Sequence, residues 1–141
     1  MTLVYAPDPI LHTVSTPVPD ADFGAALNAV MDRMIDIMRL HRGAGLSGVQ
    51  VGDTRRIIVM MINSATVKMV NPTIISRSKL RVSDTEGCLS FPGRTRAVNR
   101  ARQITVGFDT PFGDPCSLML TGFAARCVQH EMDHLDGKTI L

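Results

Sequence analysis

The chain has 141 residues, of which 45% are hydrophobic and 20% charged, with a net charge of +2. That is enough chain for one domain with a buried core, spanning 1–141, and too little net charge to argue for a nucleic-acid partner. The longest apolar run, Ile57 to Ile62, is strand-sized and no membrane span is expected; the N-terminus lacks a basic patch followed by an apolar block, and three cysteines, an odd number, argue against a disulfide framework and for a reducing, cytoplasmic compartment.

Residues 7–20 carry four prolines, Pro7, Pro9, Pro17 and Pro19, and read as an irregular entry segment. From Phe23 to His41 the pattern becomes helical: Leu27, Val30, Met31, Met34 and Met38 share one face, Asp20 or Asp22 is placed to cap the start, and Gly43 to end it. A glycine-punctuated stretch, 43–52, follows. Strands are expected at Arg56 to Ile62, Val67 to Val70, Pro72 to Ser76, Arg96 to Phe108 and Cys116 to Leu120, separated by turns such as Asn63-Ser64 and the 111–115 run. Arg94, Arg96, Arg100 and Arg102 alternate and read as the wet face of a strand. A final helix runs from Thr121 to Asp136, with Gly137 as its stop. Helix, several strands, helix, without regular strand–helix alternation, predicts an α+β fold: mostly antiparallel strands around a central C-terminal helix, with an N-terminal packing helix.

That last helix carries His130-Glu131-Met132-Asp133-His134. Histidines four apart project from one helical face, so both can bind one metal ion, with Glu131 beside them to handle a water proton. Two common peptidase arrangements are excluded. One takes its third ligand from a downstream Glu, and only seven residues follow; the other extends to a third His, where this chain has Ile140. The third ligand is therefore expected upstream, among His12, His41, Cys88, Cys116, Cys127 and several carboxylates. His12 sits in the proline-rich entry and His41 in a helix end that favours a basic residue. Cys127 lies on nearly the same stripe as His130, where three ligands would crowd one side of an ion, so it is expected to pack beside the site. Cys116, in a short strand, is expected to be buried and inert. Cys88 has no such easy explanation: Gly87, Pro92 and Gly93 around it suggest a shaped loop or strand edge.

Three segments, Gly43-Ala44-Gly45-Leu46-Ser47-Gly48-Val49-Gln50, Glu86-Gly87-Cys88-Leu89-Ser90 and His130 to His134, resemble the signature motifs of peptide deformylase, G-x-G-L-A-A-x-Q, E-G-C-L-S and H-E-x-D-H, in the same order. Only Ser47 and Gly48 depart from them, small for small. The resemblance implies that Cys88, His130 and His134 hold one divalent metal, natively ferrous iron, with zinc, nickel or cobalt able to take its place. It implies that Glu131 carries the proton in hydrolysis of the formyl amide of N-formylmethionyl nascent peptides, and that the Gln50 side chain and the Leu89 N–H stabilise the oxyanion. Gly43, Ala44 and Gly45 would receive the peptide main chain by strand addition, and Phe123, Arg126 and Cys127 would line the methionine pocket. Arg126 is an odd lining residue: its charge must reach solvent or find a carboxylate, so it is expected to form the pocket's rim, and it prompts an alternative, an amidase acting on another small N-acyl group. A peptide-binding module without catalysis is the other alternative, and the intact Glu131 and Gln50 argue against it. Glu86 is expected to be structural and to pair with Arg100, and Asp133 to anchor the helix from behind the ligands. The chain resembles short, phage-encoded members that lack a C-terminal ribosome-docking helix. Only transient ribosome proximity, in a host cytoplasm, is then implied.

Overall fold

The computed structural model describes all 141 residues. Helix α1, Ala25–Leu40, buries Leu27, Met31, Met34, Ile35 and Met38, spacings that keep one stripe turned inward. Neither Asp20 nor Asp22 caps it. Those two belong to a 3₁₀ turn, Asp20–Asp22, and Gly24 stands at the helix start with no side-chain cap. The C-terminal stop also differs from the expectation. Arg42, not Gly43, takes the left-handed conformation, with φ 56°, while the Gly43 N–H closes on the Met38 carbonyl at 2.8 Å.

Strand β2, Ile57–Ile62, explains its own apolar run. Ile57 and Val59 join the core beneath α1, while Ile58 and Met60 join a second core on the opposite face. The strand is covered on both sides, so alternation gives way to continuous hydrophobicity. It is flanked by β1, Gly45–Ser47, and β3, Ala65–Arg77, in a five-stranded antiparallel sheet that β6, Gln103–Asp109, and β7, Pro115–Thr121, extend to the order β1-β2-β3-β6-β7. The expected pieces Val67 to Val70 and Pro72 to Ser76 are one strand, β3, with a register shift between Val70 and Thr73. Asn71 takes φ 50° there and its side chain clasps both the N–H and the carbonyl of Val18. The expected strand Arg96 to Phe108 is two. β5, Thr95–Ala101, breaks from β6, Gln103–Asp109, at Arg102, and the halves enter different sheets. Strand β7, Pro115–Thr121, completes the large sheet; β4, Arg81–Gly87, pairs with β5 in a separate two-stranded hairpin. Neither β1 nor β4 was expected, one being short and glycine-rich, the other mostly exposed and polar.

Helix α2, Gly122–Leu135, packs on the face of the large sheet away from α1, through Ala125, Val128 and Leu135. Gly137 ends it as expected, at φ 75°, where a Cβ would meet the His12 carbonyl oxygen at 2.6 Å. The α+β architecture with a central C-terminal helix is as the pattern predicts. Two side-chain expectations fail. Arg100 is not on a wet strand face but buried, because it has carboxylate partners; Cys116 is exposed, because β7 is an edge strand whose start is open to solvent. No helix is long and apolar enough to cross a membrane.

Candidate metal centre and its cleft

Helix α2 is unusual in what it buries. Arg126, Gln129, His130, Glu131 and His134 are all buried along it, and each must find a partner or a ligand to offset its lost hydration. Helical spacing stacks the His130 and His134 rings edge to face, with centroids 5.0 Å apart. Their Nε2 atoms are 3.3 Å apart, and the Cys88 Sγ lies 3.3 Å from the His134 Nε2. Cys88 comes from the other sheet, immediately after β4, and the three donor atoms lie within 4.8 Å of one another. Tetrahedral coordination at usual metal–ligand lengths requires donor separations of about 3.3–3.6 Å, so the set fits one ion. His12, His41, Cys116 and Cys127 are not in this cluster.

Glu86 organises the cluster from behind. Its Oε1 accepts from the Arg100 Nη2 at 2.8 Å and the His130 Nδ1 at 2.9 Å; its Oε2 accepts from the Arg100 Nε at 2.8 Å and the Arg126 Nη1 at 2.6 Å. With Nδ1 tied to Glu86, His130 presents Nε2 to the cluster. Arg100 reaches Asp133 as well, at 2.6 Å, which anchors the outer side of α2. Arg100 thus links Glu86 on β4 to Asp133 on α2. Burial alone would raise the Glu86 carboxyl, but bonds from Arg100, His130 and Arg126 hold it down at about 2. The two imidazoles are driven apart. Burial works against protonating His130, yet its contact with Cys88 and the Glu131 and Glu86 carboxylates push it up, whereas burial and the charge of His130 push His134 down.

Glu131 is 5% exposed and its Oε1 has no hydrogen-bond partner in the chain. Burial pushes its carboxyl up to about 7, against the opposing pull of His130 and Arg100. Gly45 makes room for it: a Cβ there would meet the Glu131 Oε2 at 2.9 Å and the Met60 sulfur at 2.7 Å. Gly43 similarly makes room for the Leu89 side chain, which a Cβ would meet at 2.6 Å. Both glycines thus make room for neighbouring side chains. Gln50 is held at both ends. Its Oε1 accepts from the Ser47 N–H and hydroxyl, each at 3.0 Å, and its Nε2 donates to the Ser90 Oγ at 3.1 Å while facing the Cys88 sulfur at 3.5 Å. The Leu89 N–H has no partner within the chain.

A cleft of about 590 Å³ opens over these groups, bordered by Gly43, Ala44, Gly45, Gln50, Cys88, Leu89, Phe123, Arg126, Cys127, His130 and Glu131. Strand β1 is the edge of its sheet, so its outer side faces the cleft unpaired. Burial, then the Glu131 and Glu86 charges, push the Cys127 thiol up to about 12, leaving it a neutral wall group. Arg126 borders the cleft, but its guanidinium is bonded away from it. It is 8% exposed, and besides Glu86 it donates to the carbonyls of Val98 and Val82, at 2.9 and 2.7 Å. The expected cation at the rim is therefore absent, and with it the reason to consider an unusual N-acyl substrate. Sequence reasoning left Ser47 as a neutral exchange and passed over Ser90 and Gln129. Ser90 was legible as the last residue of its motif; Gln129, bonded to the Ala101 N–H and carbonyl, had no signal in sequence.

Known proteins resemble this chain in sequence and in fold. The family model for polypeptide deformylase matches residues 1–141. A peptide deformylase of Treponema pallidum is 38% identical over 97% of this chain and 83% of its own length. The class I type b peptide deformylase of Acinetobacter baumannii superposes with a TM-score of 0.96 at 32% identity, covering 99% of this chain and 96% of its own. With Met-Ala-Ser bound, the same enzyme gives 0.93 at 30% identity, with 99% and 95% covered. The deformylase of the Vibrio parahaemolyticus bacteriophage VP16T, in complex with actinonin, gives 0.92 at 34% identity, with 99% and 100% covered.

Proposed function

This chain belongs to the polypeptide deformylase family, and from that premise we propose how its residues divide the work. The reaction is hydrolysis of the formyl amide on the N-terminal methionine of new polypeptides, giving formate and a free amine. Cys88, His130 and His134 hold one divalent ion, ferrous iron in the native enzyme, with zinc, nickel or cobalt as substitutes. Bound there, such an ion is a Lewis acid that lowers the pKa of water from about 16 to about 7.

The remaining steps fall to the protein. Glu131 takes the proton of the attacking water on Oε1 and returns it to the amine as the carbon–nitrogen bond breaks. The Gln50 Nε2 and the Leu89 N–H donate to the oxygen that gains charge during attack; neither must reorient, since Gln50 is pinned by Ser47 and Ser90. The peptide lies along the open edge of β1 at Gly43, Ala44 and Gly45, and its methionine enters the cleft beside Phe123, Cys127 and the Arg126 stem. Glu86, Arg100 and Asp133 hold the ligands from behind. Three unpaired cysteines support the cytoplasm as the compartment, and contact with the ribosome is transient.

The observation that carries this reading is a buried carboxylate oxygen, the Glu131 Oε1, left without a partner beside a thiol and two imidazoles spaced for one ion. The test is formate release from formyl-Met-Ala-Ser by anaerobically purified protein, with metal analysis of the same sample. Cys88→Ala should lose most metal and nearly all turnover, and Cys116→Ala should lose neither. A Cys88→Ala protein with one metal per chain and normal turnover would overturn the assignment.

A further inference from the structure

The two halves of the ligand set come from parts of the molecule that no sheet joins. Cys88 follows β4 in the two-stranded hairpin, while His130 and His134 ride on α2 against the large sheet. Something must hold hairpin and helix in register before an ion is there to do so. Besides the His130–Glu86 bond from a ligand residue itself, three side chains cross this gap. Gln129 bonds the backbone of Ala101, at the far end of β5 from Cys88. Arg100 bonds Asp133 on α2 and Glu86 on the hairpin. Arg126 leaves α2 one turn before His130 and bonds a carbonyl in each hairpin strand, Val82 in β4 and Val98 in β5, together with the Glu86 Oε2.

We propose that Arg126 is a positioning residue that locks the hairpin onto α2, so that the Cys88 sulfur and the His130 and His134 nitrogens are assembled before metal arrives. A guanidinium suits this task, because its planar fork divides the bonds to two carbonyls and a carboxylate between two separated nitrogens, whereas the donors of an ammonium all radiate from one. Its charge also matters. The carboxylates of buried Glu86 and half-exposed Asp133 balance the guanidiniums of Arg100 and Arg126, and the Glu86 carboxylate accepts two bonds on each oxygen. Remove Arg126 and Glu86 loses one of its donors, two carbonyls lose theirs, and the hairpin is freed to drift from the helix.

This rests on the ligand assignment above but not on deformylase activity, so the two can fail separately. Metal-free protein is titrated with Zn²⁺ in competition with a chelator, and Co²⁺-loaded protein is read by its visible spectrum, which reports thiolate coordination. Arg126→Met, which keeps an apolar stem at the cleft, should weaken Zn²⁺ binding by about 10-fold or more, the lower end of what losing an outer hydrogen-bond partner costs a metal site. Amide exchange in 82–87 should quicken in the metal-free state, and kcat at saturating metal should change less than the affinity does. Arg126→Lys should fall between the two. Arg56→Met removes another ion pair at the far end of α2, to Asp136; it should lower the melting temperature and leave the affinity unchanged. Zn²⁺ affinity within two-fold of the parent in Arg126→Met, or an equal loss in Arg56→Met, would overturn the proposal. Should Arg126→Met fail to fold, Arg126→Lys decides on the same criterion.

Discussion

Glu131 illustrates how one position can be demanding from several sides. It stands between His130 and His134 on α2, carries a buried oxygen without a partner in the chain, and lies close enough to β1 that a Cβ at position 45 would press on it. Glu131→Gln keeps size and polarity but cannot accept the proton. Turnover on formyl-Met-Ala-Ser should fall about 10²-fold or more, with metal content unchanged by elemental analysis; parallel loss of both would make Glu131 a ligand. Gly45→Ala approaches the same carboxylate from behind. Its Cβ would press on the Glu131 Oε2 and the Met60 sulfur, so stability should drop by about 1–3 kcal/mol in urea unfolding, and kcat should drop while metal content holds. The motif made Glu131, His130 and His134 legible in sequence. The reason for Gly45 was not: a glycine there suggested room for a peptide, and only the fold brings Glu131 up against it.

At the level of elements, the two helices are stabilised in different ways. Helix α1 is held by apolar packing. Met31, Met34 and Met38 are wholly buried beneath the large sheet, away from the metal side. Met31→Ala should cost about 2–5 kcal/mol of stability through the cavity it leaves, yet leave Zn²⁺ affinity and kcat near the parent values below the melting transition. A matching fall in metal affinity would mean the two faces of the sheet are coupled. Helix α2 buries polar groups and is held by the partners it finds, chiefly on the β4–β5 hairpin. Periodicity revealed both helices to within two residues of either end. It missed β4, where exposed polar residues hide a strand, and it joined β5 to β6, since the break at Arg102 appears only once the two halves enter different sheets.

For the molecule as a whole, an ion shared by the hairpin and α2 should act as a cross-link. Anything that binds only the folded state stabilises it, so a chelator should lower the melting temperature as well as abolish activity, and adding back Zn²⁺ or Ni²⁺ should restore both. Ferrous enzyme should lose activity in air, because the iron and the Cys88 sulfur are both oxidisable, while zinc- or nickel-loaded enzyme outlasts it. Equal lifetimes for all three, with and without oxygen, would argue against iron as the native ion.

The amino-acid sequence by itself pointed to the groups proposed for the chemistry, because two histidines four apart share one helical face and the glycine- and cysteine-bearing motifs resemble the family's in their order along the chain. It also determined the α+β class, through periods near 3.6 and 2 in the right places. Only the tertiary structure decided the fate of the charges. By alternation Arg100 looked like a wet strand residue, its pairing with Glu86 being implied only by the resemblance, and Arg126 looked like a rim cation. Both are buried instead, because Glu86, 14 and 40 residues away along the chain, meets them in the core. Local pattern records which face of an element is polar; whether a polar face meets water or a buried carboxylate depends on contacts between elements far apart in sequence.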